Sequence, residues 1–275
     1  MTAATASVPA EAGTRVKTKA GAPASGGSTR LAPVPPPIPH GRLGVLWGLL
    51  TAAAVFGGRW SLAGWLAVGA LVAVLGLART RQVNPVTAAG AVAAALGGPL
   101  LAALVGGWAA LAGLLGAAVL GLFLARRRDP ASWLTAHDPA NLVTGGGLAL
   151  GLCGASLVLL QVRSVTLIAV ILAFACCHDA SRYLVGWGAP SVWEGRVAGV
   201  AAVGSATLVV AVVQPTPVSG AYPWILGGLV AAGGCLGGPL VARIEGGSAV
   251  GPLRRLDTLL VAAPAVLLMA LAGHR

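Results

Sequence analysis

Apolar residues fill long uninterrupted stretches of this chain, and polar residues gather in the gaps between them. The apolar runs fall roughly at 43–58, 60–78, 86–105, 107–125, 142–160, 164–177, 197–213, 222–241 and 257–272. An α-helix needs about 20 such residues to cross the hydrocarbon core of a bilayer. Runs that are apolar on every face belong to helices surrounded by lipid or protein. Strands of an outer-membrane barrel would instead alternate polar and apolar residues at a period of two, and these runs do not. The pattern therefore predicts an all-α, polytopic helical membrane protein with about nine transmembrane helices. The first and sixth runs are short for a full crossing, and the stretch His178–Gly199 reads as a polar segment between the sixth and seventh.

The chain divides into three parts on this pattern. Residues 1–41 are rich in Ala, Gly, Pro, Ser and Thr, carry Arg15, Lys17, Lys19 and Arg30, and include the run Pro33–Pro39. Such a segment buries too little apolar surface to fold, so a disordered basic tail is expected. It has no apolar core of its own and does not resemble a signal peptide. Residues 42–141 hold the first helices and a loop, 126–141. Asp129-Pro130 and Asp138-Pro139 in that loop look like helix N-caps followed by proline. Residues 142–275 form the remaining transmembrane core.

Composition agrees with the pattern. Hydrophobic residues make up 57% of the 275 residues and charged residues 9%, and the mean hydropathy is +0.87. A soluble domain of this size would lack the polar surface to cover itself. The net charge of +11 raises nucleic acid as a partner, but the basic residues are spread over the ends of the runs, where they orient helices and meet anionic lipid. With the N-terminus placed in the cytoplasm, 15 of the 18 Lys and Arg residues fall inside; Arg59, Arg163 and Arg275 fall outside. The expected location is the plasma membrane, multi-pass, with the N-terminus cytoplasmic and no nucleic-acid partner.

The chain has seven acidic residues, so each is informative. Glu194 and Asp257 stand just before apolar runs, where a carboxylate suits the helix dipole and capping alone would explain it. Asp179 stands at the other pole, the C-terminal end of the sixth run, where capping does not explain it. Carboxylates near arginines at membrane depth suit Mg²⁺ and phosphates. The glycine clusters at 145–147, 233–234 and 237–238 predict close approach of helices.

The stretch Asp179-Ala180-Ser181-Arg182-Tyr183-Leu184-Val185-Gly186, followed by Trp193-Glu194-Gly195, resembles the central motif of phosphatidate cytidylyltransferases, the CDP-diacylglycerol synthases. Arg255-Leu256-Asp257-Thr258-Leu259-Leu260 is similar to the end of that family's signature. The resemblance covers roughly residues 142–272, and the nine-helix layout fits it. It implies an enzyme, a nucleotidyltransferase of phospholipid biosynthesis that makes CDP-diacylglycerol from CTP and phosphatidic acid or a related lipid phosphate. It further implies Asp257, Asp179 and Glu194 as catalytic residues, Asp257 and Asp179 as ligands of Mg²⁺, and Arg255, Arg254, Arg196 and Arg182 as phosphate contacts. Membrane lipids, and optionally a second copy of the chain, are the other partners. The chain departs from the family pattern at Gly237-Gly238, where the family has Gly-Asp, at Arg254, where it has Asp, and between Arg243 and Pro252, where its Lys-Asp and His-Gly-Gly elements are absent. These departures favour an alternative, a catalytically degenerate member acting as a lipid-binding or regulatory membrane protein. A transporter would place charge or broken helices near mid-membrane, whereas this charge is confined to one face.

Overall fold

A computed structural model describes residues 41–106, 139–186, 191–245 and 256–272, with Ala189 and Leu253 as single described positions. The expected fourth run, the loop arginines Arg126–Arg128, the basic tail, Arg254 and Arg255 lie outside the described residues. Those that are described form eight helices and no strand: α1 (Gly41–Phe56), α2 (Arg59–Arg81), α3 (Pro85–Leu104), α4 (Pro139–Arg163), α5 (Val165–Gly186), α6 (Val192–Val213), α7 (Tyr222–Glu245) and α8 (Asp257–Ala272). Six of them, α2 through α7, contain a segment long and apolar enough to cross a membrane. At 1.5 Å per residue, the 16 residues of α1 and of α8 reach only about 24 Å.

Local chemistry sets the helix ends. Gly58, at φ +91°, makes the turn between α1 and α2, a conformation that glycine adopts without a Cβ penalty. Asn84 accepts the Thr87 N–H at 2.8 Å and Pro85 takes the first helical position of α3, a proline that loses no backbone bond there. Ser164 separates α4 from α5 and accepts the Leu167 N–H at 3.2 Å. Ser191 caps α6 by accepting the Trp193 N–H at 3.2 Å.

One expectation changes here. The sixth run does not stop at residue 177. α5 continues through the charged residues to Gly186, and α6 starts at Val192. Asp179 and Arg182 thus lie on a helix, and so do Glu194 and Arg196. Helical hydrogen bonding is indifferent to whether the side chains outside it are apolar, so the hydrophobic run underestimates the helix.

α3 packs along α4, α5 along α6, and α7 along α8, while α2 covers α3 and α4. The contacts close where glycines meet backbone: Gly98 faces Gly151, Gly147 faces Ala91, and Gly195 faces the Arg182 carbonyl. α4 is the most enclosed of the six long helices, and α6 is the most open, with only 17% of its apolar window buried. Val209, Val212 and Val213 of α6 are exposed, as suits a surface solvated by lipid tails. Arg81 Nη2 donates to the Ile244 carbonyl at 2.9 Å, which puts the C-terminal ends of α2 and α7 on one side. Arg163 Nη1 donates to the Ala270 carbonyl at 2.8 Å, which joins the ends of α4 and α8 on the other. A shallow groove of about 380 Å³ between α1 and α2 is lined by Leu50, Ala53, Trp60, Ser61, Gly64 and Trp65. Its lining carries no charged side chain.

Candidate functional site

The charged chemistry gathers where α5 and α7 end and α6 and α8 begin. Asp179 and Arg182 are three residues apart on α5 and share a helix face. That face meets the first turn of α8. Arg182 Nη1 donates to Asp257 Oδ2 at 2.7 Å. The Thr258 hydroxyl donates to Asp179 Oδ1 at 2.7 Å, and the Thr258 backbone N–H donates to Asp257 Oδ1 at 2.8 Å. His178 Nδ1 lies 3.1 Å from Asp179 Oδ1 and 3.4 Å from Thr258 Oγ1. Two stretches 79 positions apart therefore close into one cluster.

Exposure falls across it in order. The Asp179 side chain is 37% exposed, Arg182 26% and Asp257 2%. A buried carboxylate is tolerated only when paired and hydrogen-bonded, and Asp257 is both. Its position at the start of α8 adds the favourable helix dipole. The cluster opens at Asp179 and Arg182, so a ligand meets those two first. The bond to Asp257 uses one of the five N–H donors of the guanidinium, and the planar fork suits phosphate oxygens.

α7 contributes absence rather than groups. Gly237 lies against the Asp257 backbone, Gly238 stands 3.0 Å from Arg182 Nη2 at its Cβ position, and Gly234 lies against the His178 ring. Gly199 of α6 closes the same ring from the other side, its Cβ position 2.8 Å from His178 Nε2. Gly237 and Gly238 thus make room for Asp257 and Arg182 respectively.

Of the expected site residues, Asp179, Arg182 and Asp257 are brought together. Glu194 sits exposed in the first turn of α6, and among the described residues no hydrogen bond or ion pair joins it to the cluster. The Arg196 guanidinium stacks over the Trp193 ring at 5.2 Å. Arg254 and Arg255 fall outside the described residues. His178 and Thr258 were not singled out by sequence; their signal is positional, since His178 stands one helical turn before Arg182 and Thr258 directly follows Asp257.

Among the described residues no group of three or more His, Cys, Asp and Glu side chains is arranged to hold a metal ion. Mg²⁺ commonly takes one or two carboxylates and completes its shell with water and substrate phosphates. Asp179, half-open to the bundle end, fits that use. Asp257 does not, because Arg182 and Thr258 already occupy both its oxygens.

Comparison with protein-family models, with curated proteins and with solved structures gives no match.

Proposed function

We propose that this chain is a membrane nucleotidyltransferase of the phosphatidate cytidylyltransferase type, joining CTP and phosphatidic acid or a related lipid phosphate. The observation that supports it is the meeting of Asp179 and Arg182 with Asp257 and Thr258, the two stretches on which the resemblance rests. In this reading a phosphate oxygen of the lipid attacks the α-phosphorus of CTP. A new P–O bond forms, the bond to the β-phosphate bridge breaks, and pyrophosphate leaves with the electron pair. Such a transfer depends mainly on positioning and charge neutralisation. Arg182 contacts a phosphate, Asp257 holds Arg182 in place, and Arg196, Arg254 and Arg255 supply further positive charge. Mg²⁺ arriving with the nucleotide would be held by Asp179 and would neutralise phosphate charge. Glu194 stands in the first turn of α6, where its carboxylate suits the helix dipole. The site faces the cytoplasm, where CTP is; support comes from Arg42, Arg79, Arg81, Arg182, Arg196 and Arg243 at the cluster end against Arg59 and Arg163 at the other, the asymmetry of cytoplasmic helix ends.

A second reading is favoured by one observation. Asp257 is closed by Arg182 and the Thr258 N–H, which leaves Asp179 as the one open carboxylate of the cluster, as suits a protein that binds a lipid phosphate without turning it over. Purified protein in liposomes, with α-labelled CTP, phosphatidic acid and Mg²⁺, separates the two. The first reading expects labelled CDP-diacylglycerol, reduced at least tenfold by Asp257→Asn. Binding of phosphatidic acid without product would leave the second reading; absence of both would sink the two together.

A further inference from the structure

His178 is as deeply buried as any polar group of the cluster, matched only by Thr258. Its side chain is 0% exposed, and Gly199 and Gly234 lie so close that a methyl group on either would strike the ring. Nε2, aimed between those glycines, has no hydrogen-bond partner among the described residues. Nδ1, on the opposite edge, faces Asp179 Oδ1 at 3.1 Å and Thr258 Oγ1 at 3.4 Å.

Which nitrogen carries the proton follows from these partners. Asp179 Oδ1 can only accept from the ring. The single proton of the Thr258 hydroxyl is committed to Asp179, 2.7 Å away, so Thr258 Oγ1 can offer His178 only a lone pair. Both groups at Nδ1 are acceptors, and a ring nitrogen between acceptors must donate. A proton on Nε2 would be buried with nothing to accept it, whereas a bare Nε2 leaves only an unused lone pair. One Oδ1 atom thereby receives two donors, the ring N–H and the Thr258 O–H, from two different helices.

We propose that His178 is a positioning residue, protonated at Nδ1 and bare at Nε2, that fixes the Asp179 carboxylate and so aims the open side of the phosphate site. This rests on the phosphate-site reading given above. Gly199 and Gly234 are part of the device: they hold the ring in a slot too tight for it to turn over and swap Nδ1 with Cδ2. The ring touches no substrate; it acts through Asp179. Packing alone would ask only for a flat apolar side chain of similar volume in the slot.

The test has two arms, both on the full chain in nanodiscs. In the first, ¹⁵N-histidine labelling reads the ring nitrogens, with His178→Asn identifying the His178 signals among the four histidines. A protonated Nδ1 with an unprotonated Nε2 is expected; a protonated Nε2 overturns the proposal. In the second, affinity for phosphatidic acid in phosphatidylcholine nanodiscs is compared across variants. His178→Asn, whose amide N–H falls where Nδ1 stands, should stay within about threefold of wild type. His178→Leu should lose at least tenfold at an unchanged melting temperature. Equal affinities overturn the positioning role. His178→Gln, whose amide lies nearer the Nε2 position, takes the place of His178→Leu should that variant not fold, with the same loss expected. A wild type that ignores phosphatidic acid removes the phosphate-site reading instead, and the ring-nitrogen spectrum then decides the proton's place on its own.

Discussion

Gly234 and Gly237 sit where α7 faces His178 and Asp257, and neither has room for a methyl group. Overpacking of a tight contact costs about 1–3 kcal/mol, and each kcal/mol moves a melting temperature by about 2–4 °C in a protein of this size. Gly234→Ala and Gly237→Ala should each lower the melting temperature in detergent by several degrees. Gly228, on the same helix with nothing near its Cβ position, should tolerate alanine without loss. The Arg182–Asp257 pair supports a second measurement. Arg182→Leu leaves a carboxylate that is 2% exposed without its cation, a change that typically costs about 3–5 kcal/mol. The double variant Arg182→Leu with Asp257→Leu should lose clearly less than the sum of the single losses in chemical denaturation, since removing both partners leaves no buried charge. Additive losses would mean that the pair is not coupled. At this scale the sequence exposes the acids, because so few exist in so apolar a chain. It hides His178 and Thr258, because one histidine beside an apolar run and one threonine in another are ordinary until α5 and α8 are seen to touch.

Helices were legible from the apolar runs because a membrane helix must be apolar along its whole crossing. Each described helix overlaps a run. The ends were less legible, most of all in α5. Its run stops at 177, yet the helix reaches Gly186, since nothing before Ala189-Pro190 breaks the backbone ladder. That extension matters for the site. A loop would let Asp179 and Arg182 point anywhere, whereas the helix fixes them one turn apart on one face. Glycine clusters were readable as close contacts between helices, but not as clearance for a charged cluster, because a glycine does not reveal in sequence what occupies the space it leaves. The caps at Asn84 and Ser191 follow ordinary rules and anchor the starts of α3 and α6.

Across the whole molecule, charge is divided between two ends. Among the described helices, six arginines stand at the cluster end and two at the opposite one. The orientation drawn from this division can be checked directly. In a cysteine-free background, a cysteine at Ser219 in the α6–α7 connection should react with a membrane-impermeant maleimide on intact cells. A cysteine at Gln82, between α2 and α3, should react only after the membrane is opened. The reverse pattern would place the cluster outside the cell and remove CTP as its ligand. The all-helical class follows from hydropathy alone, but the identity of the ligand does not. It depends on the few polar groups whose arrangement only packing decides.

The Arg182–Asp257 contact joins residues 75 positions apart, and this sets a schedule for synthesis. At roughly 5–20 residues per second, α5 is delivered to the membrane roughly 4–15 s before its partner on α8 has been made. Through that interval Asp179 and Arg182 have no α8 to bind and must be met by water or lipid headgroups. Their charge then holds the end of α5 at the bilayer surface, so the half-made site acts as a stop that keeps this helix from sliding inward until α8 arrives.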